Sequence, residues 1–259
     1  LEKDNYYSQG DIIGKQGVEL SYEKYLRGEK GIKFIQKDRF NRDIGSFNDG
    51  LNDINSIAGN DLTITIDSEL QEYGELLMSN KKGAIVAIEP SSGELLTLVS
   101  APSYNPNLLV GRERSKNYFE LYQDSIYNPL LDKGLLSTFP AGSPFKVIVG
   151  LIALEEEVIS EKSTIFCKGQ YIYGRNKKSM KCHCGGGYRN IYNAISESCN
   201  SYFADIYRKT ISKNNEISDN FNSWSESVKS FGLGNYLNNA LPIGKKGMIP
   251  TSEFYDRWY

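Results

Sequence analysis

Hydrophobic and polar positions divide the chain into unlike stretches. Residues 1 to about 58 are polar and irregular, rich in Gly, Asp, Asn and Lys. They show no sustained period beyond one helix predicted over Leu20 to Leu26. From Leu62 the texture changes. Leu62-Thr-Ile-Thr-Ile66 alternates as a strand does, and Ser68 to Met78 carries apolar residues at helical spacing, with Ser68 at the N-cap place. Gly83 to Pro90 predicts a buried strand, Pro90-Ser-Ser-Gly93 a turn, and Leu95 to Ser100 the antiparallel partner of a hairpin. Residues 101–140 mix Pro, Asn, Tyr and charge and predict a long surface excursion, which in a compact domain is more often functional than idle. Phe145 to Glu157 reads as the most apolar helix and Tyr192 to Tyr207 as a second helical stretch. Trp224, Phe231 and Leu233 are expected in the core of the last 50 residues.

Composition narrows the class. A chain of 259 residues with 39% hydrophobic positions supports one large domain, or a domain with an appendage. Thirty basic residues against 32 acidic ones leave no positive surplus, which argues against a dedicated nucleic-acid binder. The longest apolar stretch, within Val147 to Leu154, falls far short of the roughly 20 residues of a membrane-spanning helix. No signal-peptide pattern opens the chain, and it reads as soluble.

Pro140-Ala-Gly-Ser143-Pro-Phe-Lys146 opens the apolar helix. With Ser143 as N-cap and Pro144 at the first helical position, Lys146 falls on the first turn, close enough to hydrogen-bond Ser143. Burial lowers a lysine's pKa, and a neutral amine can take the serine's proton. The helix N-terminus adds positive potential near the oxyanion of acyl transfer. Alone, Ser-x-x-Lys is a common pattern in which serine merely caps. A second cluster, Ser196-Glu-Ser198-Cys-Asn200, supplies a hydroxyl for proton relay and an amide for a peptide carbonyl or for the lysine, although Ser and Asn also favour helix ends for local reasons.

Together the two clusters resemble the acylation machinery of penicillin-binding proteins and active-site-serine β-lactamases, whose motifs are S-x-x-K, S-D-N and K-T-G. Gly17 to Gly28 resembles the pedestal segment of class B penicillin-binding proteins; Gly83 to Leu96 and Ser100 to Asn107 resemble the opening hairpin of their transpeptidase domain. Gly111 to Tyr118, Ser198 to Phe203 and Pro250 to Asp256 are most similar to the elongation type, penicillin-binding protein 2. The resemblance implies an α+β transpeptidase fold, an antiparallel sheet with helices on both faces plus a helical subdomain, over residues 59–259. A pedestal remnant over 1–58 precedes it.

The activity implied is D,D-transpeptidation. Ser143 attacks the penultimate D-alanine carbonyl of a peptidoglycan stem peptide, Lys146 is the base, and Ser198 and Asn200 assist proton transfer and placement. β-Lactams acylate Ser143 as mimics of D-Ala-D-Ala. The resemblance further implies the periplasmic face of the cytoplasmic membrane, an anchoring N-terminal helix absent here, and an elongation glycosyltransferase as partner. The alternatives are a serine β-lactamase or D,D-carboxypeptidase, and an inactive β-lactam sensor or elongation scaffold. Two departures stand out. Pro144 replaces the small residue more usual after the serine, and no Lys-Thr-Gly or Lys-Ser-Gly occurs, Gly244-Lys-Lys-Gly247 being a poor substitute. The chain is therefore expected to be C-terminally incomplete, and the fragment to be at risk of inactivity.

All four cysteines lie in one stretch, with His183, the sole histidine, between the middle two. Cys182-His-Cys184 followed by three glycines can turn two thiolates to one point, with Cys167 and Cys199 at similar separations on either side. Four soft ligands suit tetrahedral zinc, and some penicillin-binding protein 2 members carry zinc in this region. Two disulfides are the alternative, in keeping with the oxidising periplasm that the resemblance implies, although Cys182 paired with Cys184 would be strained. A further alternative leaves Cys199 as a small buried residue. His183 is an alternative ligand in place of Cys184.

Overall fold

The computed structural model describes residues 6–237 and 239–257, so the outermost residues of the expected pedestal and transpeptidase regions, 1–5 and 258–259, lie outside the described residues. The chain forms two compact units, Leu1–Ser137 with Asn238–Gly244, and Thr138–Leu237 with Lys245–Tyr259.

In the first unit the helix expected over Leu20 to Leu26 is two short ones, α1 (Gly17–Ser21) and α2 (Glu23–Leu26), broken at Tyr22, whose φ of −112° and ψ of 18° leave the helical region. Strands β1 (Ile35–Lys37) and β2 (Asp43–Ser46) pair antiparallel, with every residue of both exposed. Leu62 to Ile66 joins no ladder. Only the Thr65 hydroxyl and the Asp67 amide reach across, to Leu95 O and Leu96 O, because the chain is already turning into a cap. That cap is Asp67 rather than Ser68: its carboxylate accepts from Leu70 N at 2.9 Å and starts α3 (Ser68–Leu77).

Strands β3 (Gly83–Ile88) and β4 (Leu95–Ala101) form the expected hairpin, with Val86 opposite Leu98 and a bulge after Ala87. Helices α4 (Arg114–Gln123) and α5 (Lys133–Leu136) lie inside the stretch expected to be a long surface excursion. A Cβ on Gly74 of α3 would come within 2.9 Å of Val99, and one on Gly134 of α5 within 2.7 Å of Leu98. Val99 and Leu98 point to opposite faces of β4. The hairpin thus carries helices on both faces, as the α+β expectation requires.

The second unit starts with α6 (Phe145–Glu155) and continues through β5 (Ile165–Cys167), β6 (Gln170–Tyr173), β7 (Lys178–Lys181) and β8 (Gly187–Arg189). Helices α7 (Ile191–Ser196), α8 (Asn200–Ile211), α9 (Ile217–Ser230) and α10 (Ser252–Asp256) follow. Two antiparallel pairs, β5 with β8 and β6 with β7, flank the helices. The core joins Ile152 and Ala153 of α6 to Tyr202 and Ile206 of α8 and Val228 of α9, all essentially inaccessible. At roughly 1.5–3 kcal/mol for each large apolar side chain removed from water, this cluster is what holds α6 and α8 together. Trp224 is buried as expected, edge-on to Phe145 and Tyr207, and Leu233 packs against the core. Phe231 does not: it is 47% exposed, because it caps the C-terminus of α9 where the helix runs out toward solvent. Among the described residues, no helix is long and apolar enough to cross a membrane.

Candidate active site

Ser143 lies in the turn ahead of α6. Phe145 N donates to Gly142 O and Lys146 N to Ser143 O, so the helix starts as a tight i→i+3 turn. Pro144, at φ −54°, takes the N-cap place one residue later than expected. The Ser143 side chain is exposed, and its Oγ accepts a 2.9 Å hydrogen bond from Ser198 Oγ.

Lys146 is half-buried and donates three hydrogen bonds, to Ser198 O (2.7 Å), Ser198 Oγ (2.8 Å) and Asn200 Oδ1 (2.6 Å). The direct Ser143–Lys146 bond expected from the spacing is replaced by a link through Ser198 Oγ. The physical reason is valence: an ammonium has three donors, and the Ser198–Asn200 segment offers three oxygens. Burial lowers the Lys146 ammonium below the usual lysine value, while the charges of Cys182, Cys199 and Cys184 oppose that shift. Asn200 is held on its other side, its Nδ2 donating to Lys181 O at 2.9 Å.

Ser198 owes its position to a helix end. The single helical stretch expected over Tyr192 to Tyr207 is α7 and α8, separated at Glu197–Cys199. Ser198 N donates to Ile195 O (3.0 Å) and Cys199 N to Ala194 O (2.8 Å), the two bonds of a Schellman motif. Ser198 occupies the left-handed position at φ +52°, normally a glycine's, at a cost of about 1–2 kcal/mol. Cys199, fully buried, then caps α8. Exposure therefore falls from Ser143 through Ser198 to Cys199.

Behind this junction the four cysteines converge, all free, with every sulfur within 4.8 Å of the others. Cys184 Sγ lies 3.1 Å from Cys182, 3.3 Å from Cys199 and 3.5 Å from Cys167. A tetrahedral zinc with bonds of about 2.3 Å requires sulfurs roughly 3.8 Å apart, so the donor set fits that ion in number, type and span. His183 is exposed and stands outside the cluster, and Cys184 holds the fourth place in it. Burial raises Cys199. Burial also opposes ionisation of Cys182, yet backbone amides of Ser201 and Cys184 and the adjacent thiols bring it down to about 6. Gly185, Gly186 and Gly187 all have positive φ, and a Cβ on Gly186 would come within 3.2 Å of Cys167 O.

Arg189 is the residue that motif reading missed. Its guanidinium donates to Glu197 Oε2 (2.7 Å), Cys184 O (2.6 Å) and Tyr188 O (2.9 Å), tying the cysteine loop to the residue before Ser198. One signal for it exists: Glu197 is the sole acidic residue between Glu161 and Asp205.

The profile of the penicillin binding protein transpeptidase domain matches residues 83–258, and that of the penicillin-binding protein dimerisation domain matches residues 1–64. The chain belongs to the penicillin-binding protein transpeptidase family. It is 32% identical to the peptidoglycan D,D-transpeptidase MrdA of Acinetobacter baumannii over 98% of this chain and 36% of that protein. Penicillin-binding protein 2 of Helicobacter pylori, solved as a complex with MreC, superposes with a TM-score of 0.78 at 32% identity, over 99% of this chain and 45% of that one. Penicillin-binding protein 2 of Pseudomonas aeruginosa, in complex with WCK 5153, superposes with a TM-score of 0.72 at 30% identity, over 95% and 49%. These relatives are of the elongation type that the sequence resembles. The chain spans well under two thirds of each.

Proposed function

We propose that this chain carries the acylation centre of a peptidoglycan D,D-transpeptidase of cell elongation, with Ser143 as nucleophile, Lys146 as base, Ser198 as proton relay and Asn200 as the group that orients Lys146. One observation carries the reading: an unbroken hydrogen-bonded line from Ser143 Oγ through Ser198 Oγ to Lys146 Nζ. A hydroxyl donates and accepts at once, so the line can reverse direction without moving heavy atoms. As Ser143 Oγ bonds to the penultimate D-alanine carbonyl carbon, its proton passes to Ser198 Oγ, and the Ser198 proton to neutral Lys146. Breaking the peptide bond returns a proton to the departing D-alanine amine. The acyl group then leaves Ser143 for an amine on a neighbouring stem peptide.

On this reading residues 1–58 are pedestal and 59–259 transpeptidase, and the protein works at the periplasmic face of the cytoplasmic membrane to which it is anchored. Its ligands are stem peptides and β-lactams, and its partners are an elongation glycosyltransferase and a scaffold of the MreC kind. Cys167, Cys182, Cys184 and Cys199 hold a structural zinc, which, when bound, supplies rigidity behind the Ser198–Asn200 junction.

Intact-mass spectrometry after incubation with a penicillin tests the acylation centre. The expected result is a persistent adduct mapping to the Ser143 peptide; an adduct mapping elsewhere, or rapid turnover, defeats the proposal. Metal analysis of protein purified without chelator tests the second part. One zinc per chain is expected, with four thiols becoming titratable as a chelator removes it, and four reactive thiols without metal would exclude zinc.

A further inference from the structure

The charge of this chain is unevenly placed. Between Lys162 and Ser196 lie seven lysines and arginines and no acidic residue, which leaves 23 basic against 32 acidic residues elsewhere. Five of the seven, Lys168, Arg175, Lys177, Lys178 and Lys181, sit on or beside the β6–β7 hairpin. All five are exposed, and none makes an ion pair among the described residues. The hairpin is well formed, with Gln170 opposite Lys181 and Tyr173 opposite Lys178, and its turn is closed by Lys177 N donating to Gly174 O. Exposed Ile172 and Tyr173 add apolar surface beside the cations. Its base is joined to the acylation centre, since Lys181 O accepts from Asn200 Nδ2.

Like charges held this close repel, and a focused positive field raises the local concentration of anions. We propose that the β6–β7 hairpin is a docking surface for a carboxylate-bearing peptide, the acidic part of the strand whose D-alanyl end reaches Ser143; this rests on the reading of Ser143 as nucleophile. Four residues per strand, at roughly 3.3 Å each, match the length of an extended tetrapeptide. An anionic membrane surface is also attracted to cations and aromatics. The peptide is favoured because the base of the hairpin, at Lys181, is bonded to Asn200 itself.

The test compares two fluorescein-labelled pentapeptides ending in D-Ala-D-Ala, one with two glutamates and one with glutamines in their place, by anisotropy with the full chain. The acidic peptide is expected to bind about tenfold tighter at low salt, with the preference screened away at high salt. The Arg175→Gln/Lys178→Gln and Arg175→Glu/Lys178→Glu variants should lose the preference while still forming the penicillin adduct. Equal binding of the two peptides, or an undiminished preference in both variants, overturns the proposal. So does tight binding to phosphatidylglycerol vesicles, lost in the variants, without discrimination between the peptides. Anisotropy needs no acylation, so failure of Ser143 as nucleophile shows separately, as absence of the penicillin adduct.

Discussion

Lys133 and Lys146 each stand near the start of a helix, and burial lowers the pKa of both. Lys133 is only 3% exposed, more buried than Lys146, yet its ammonium donates to two peptide carbonyls, Asn128 O and Leu131 O. Lys146 donates to a carbonyl as well, but also to the Ser198 hydroxyl, which is itself bonded to Ser143. A carbonyl accepts a hydrogen bond and goes no further; a hydroxyl passes a proton on. The contrast teaches that a lowered lysine pKa reports burial, and that of these two lysines Lys146 alone has the onward connection its proposed role as base requires.

The sharpest way to break this contrast is to truncate each lysine. Lys146→Ala should slow penicillin acylation by roughly 10²–10⁴-fold, the usual worth of a general base, while Lys133→Ala leaves it unchanged. Equal slowing in the two variants, measured by stopped-flow with a fluorescent penicillin, would erase the distinction. Ser198→Gly separates the relay from its backbone seat. It removes the hydroxyl and should cost about 10²-fold in acylation, yet it relieves the left-handed strain and should raise unfolding stability by about 1–2 kcal/mol in urea titrations. The smallest effect is in pH. Both ammonium groups lie below the ordinary lysine value of 10.5 in the fold, so the unfolded chain binds more protons between the folded value and 10.5. Stability therefore rises with pH through that window at both sites. Only Lys146 should show the same window in the acylation rate, as a limb rising with pH that Lys133→Ala does not move.

Much of the site was legible because its chemistry is spelled in residue types. Ser143, Lys146, Ser198 and Asn200 meet as expected, and so do the four cysteines. What resisted reading was geometry that no side chain advertises. No glycine or proline marks the break between α7 and α8, because Ser198 takes a glycine's conformation, and an apolar pattern running through Ile195 and Phe203 looks continuous. The sequence does not separate the cap at Asp67 from its neighbour Ser68, since both residue types cap and only the backbone decides which one does. Hydrophobicity alone predicts a buried Phe231, whereas its place at the end of α9 exposes it. The hairpin of Gly83 to Ala101 was the most legible element, because alternation, turn residues and pairing partner are all local.

The Schellman junction has a consequence for which changes of length this chain can absorb. A residue added to α7 would advance everything after it by about 100° around the helix axis and 1.5 Å along it. Ser198 would swing away from Lys146, and Cys199 would leave its three partners in the same motion. Two side-chain clusters thus share one counting frame from Asn190 to Asn200, where spacing matters as much as composition. Lineages related to this chain should therefore hold the length constant between the cap of α7 and the first turn of α8.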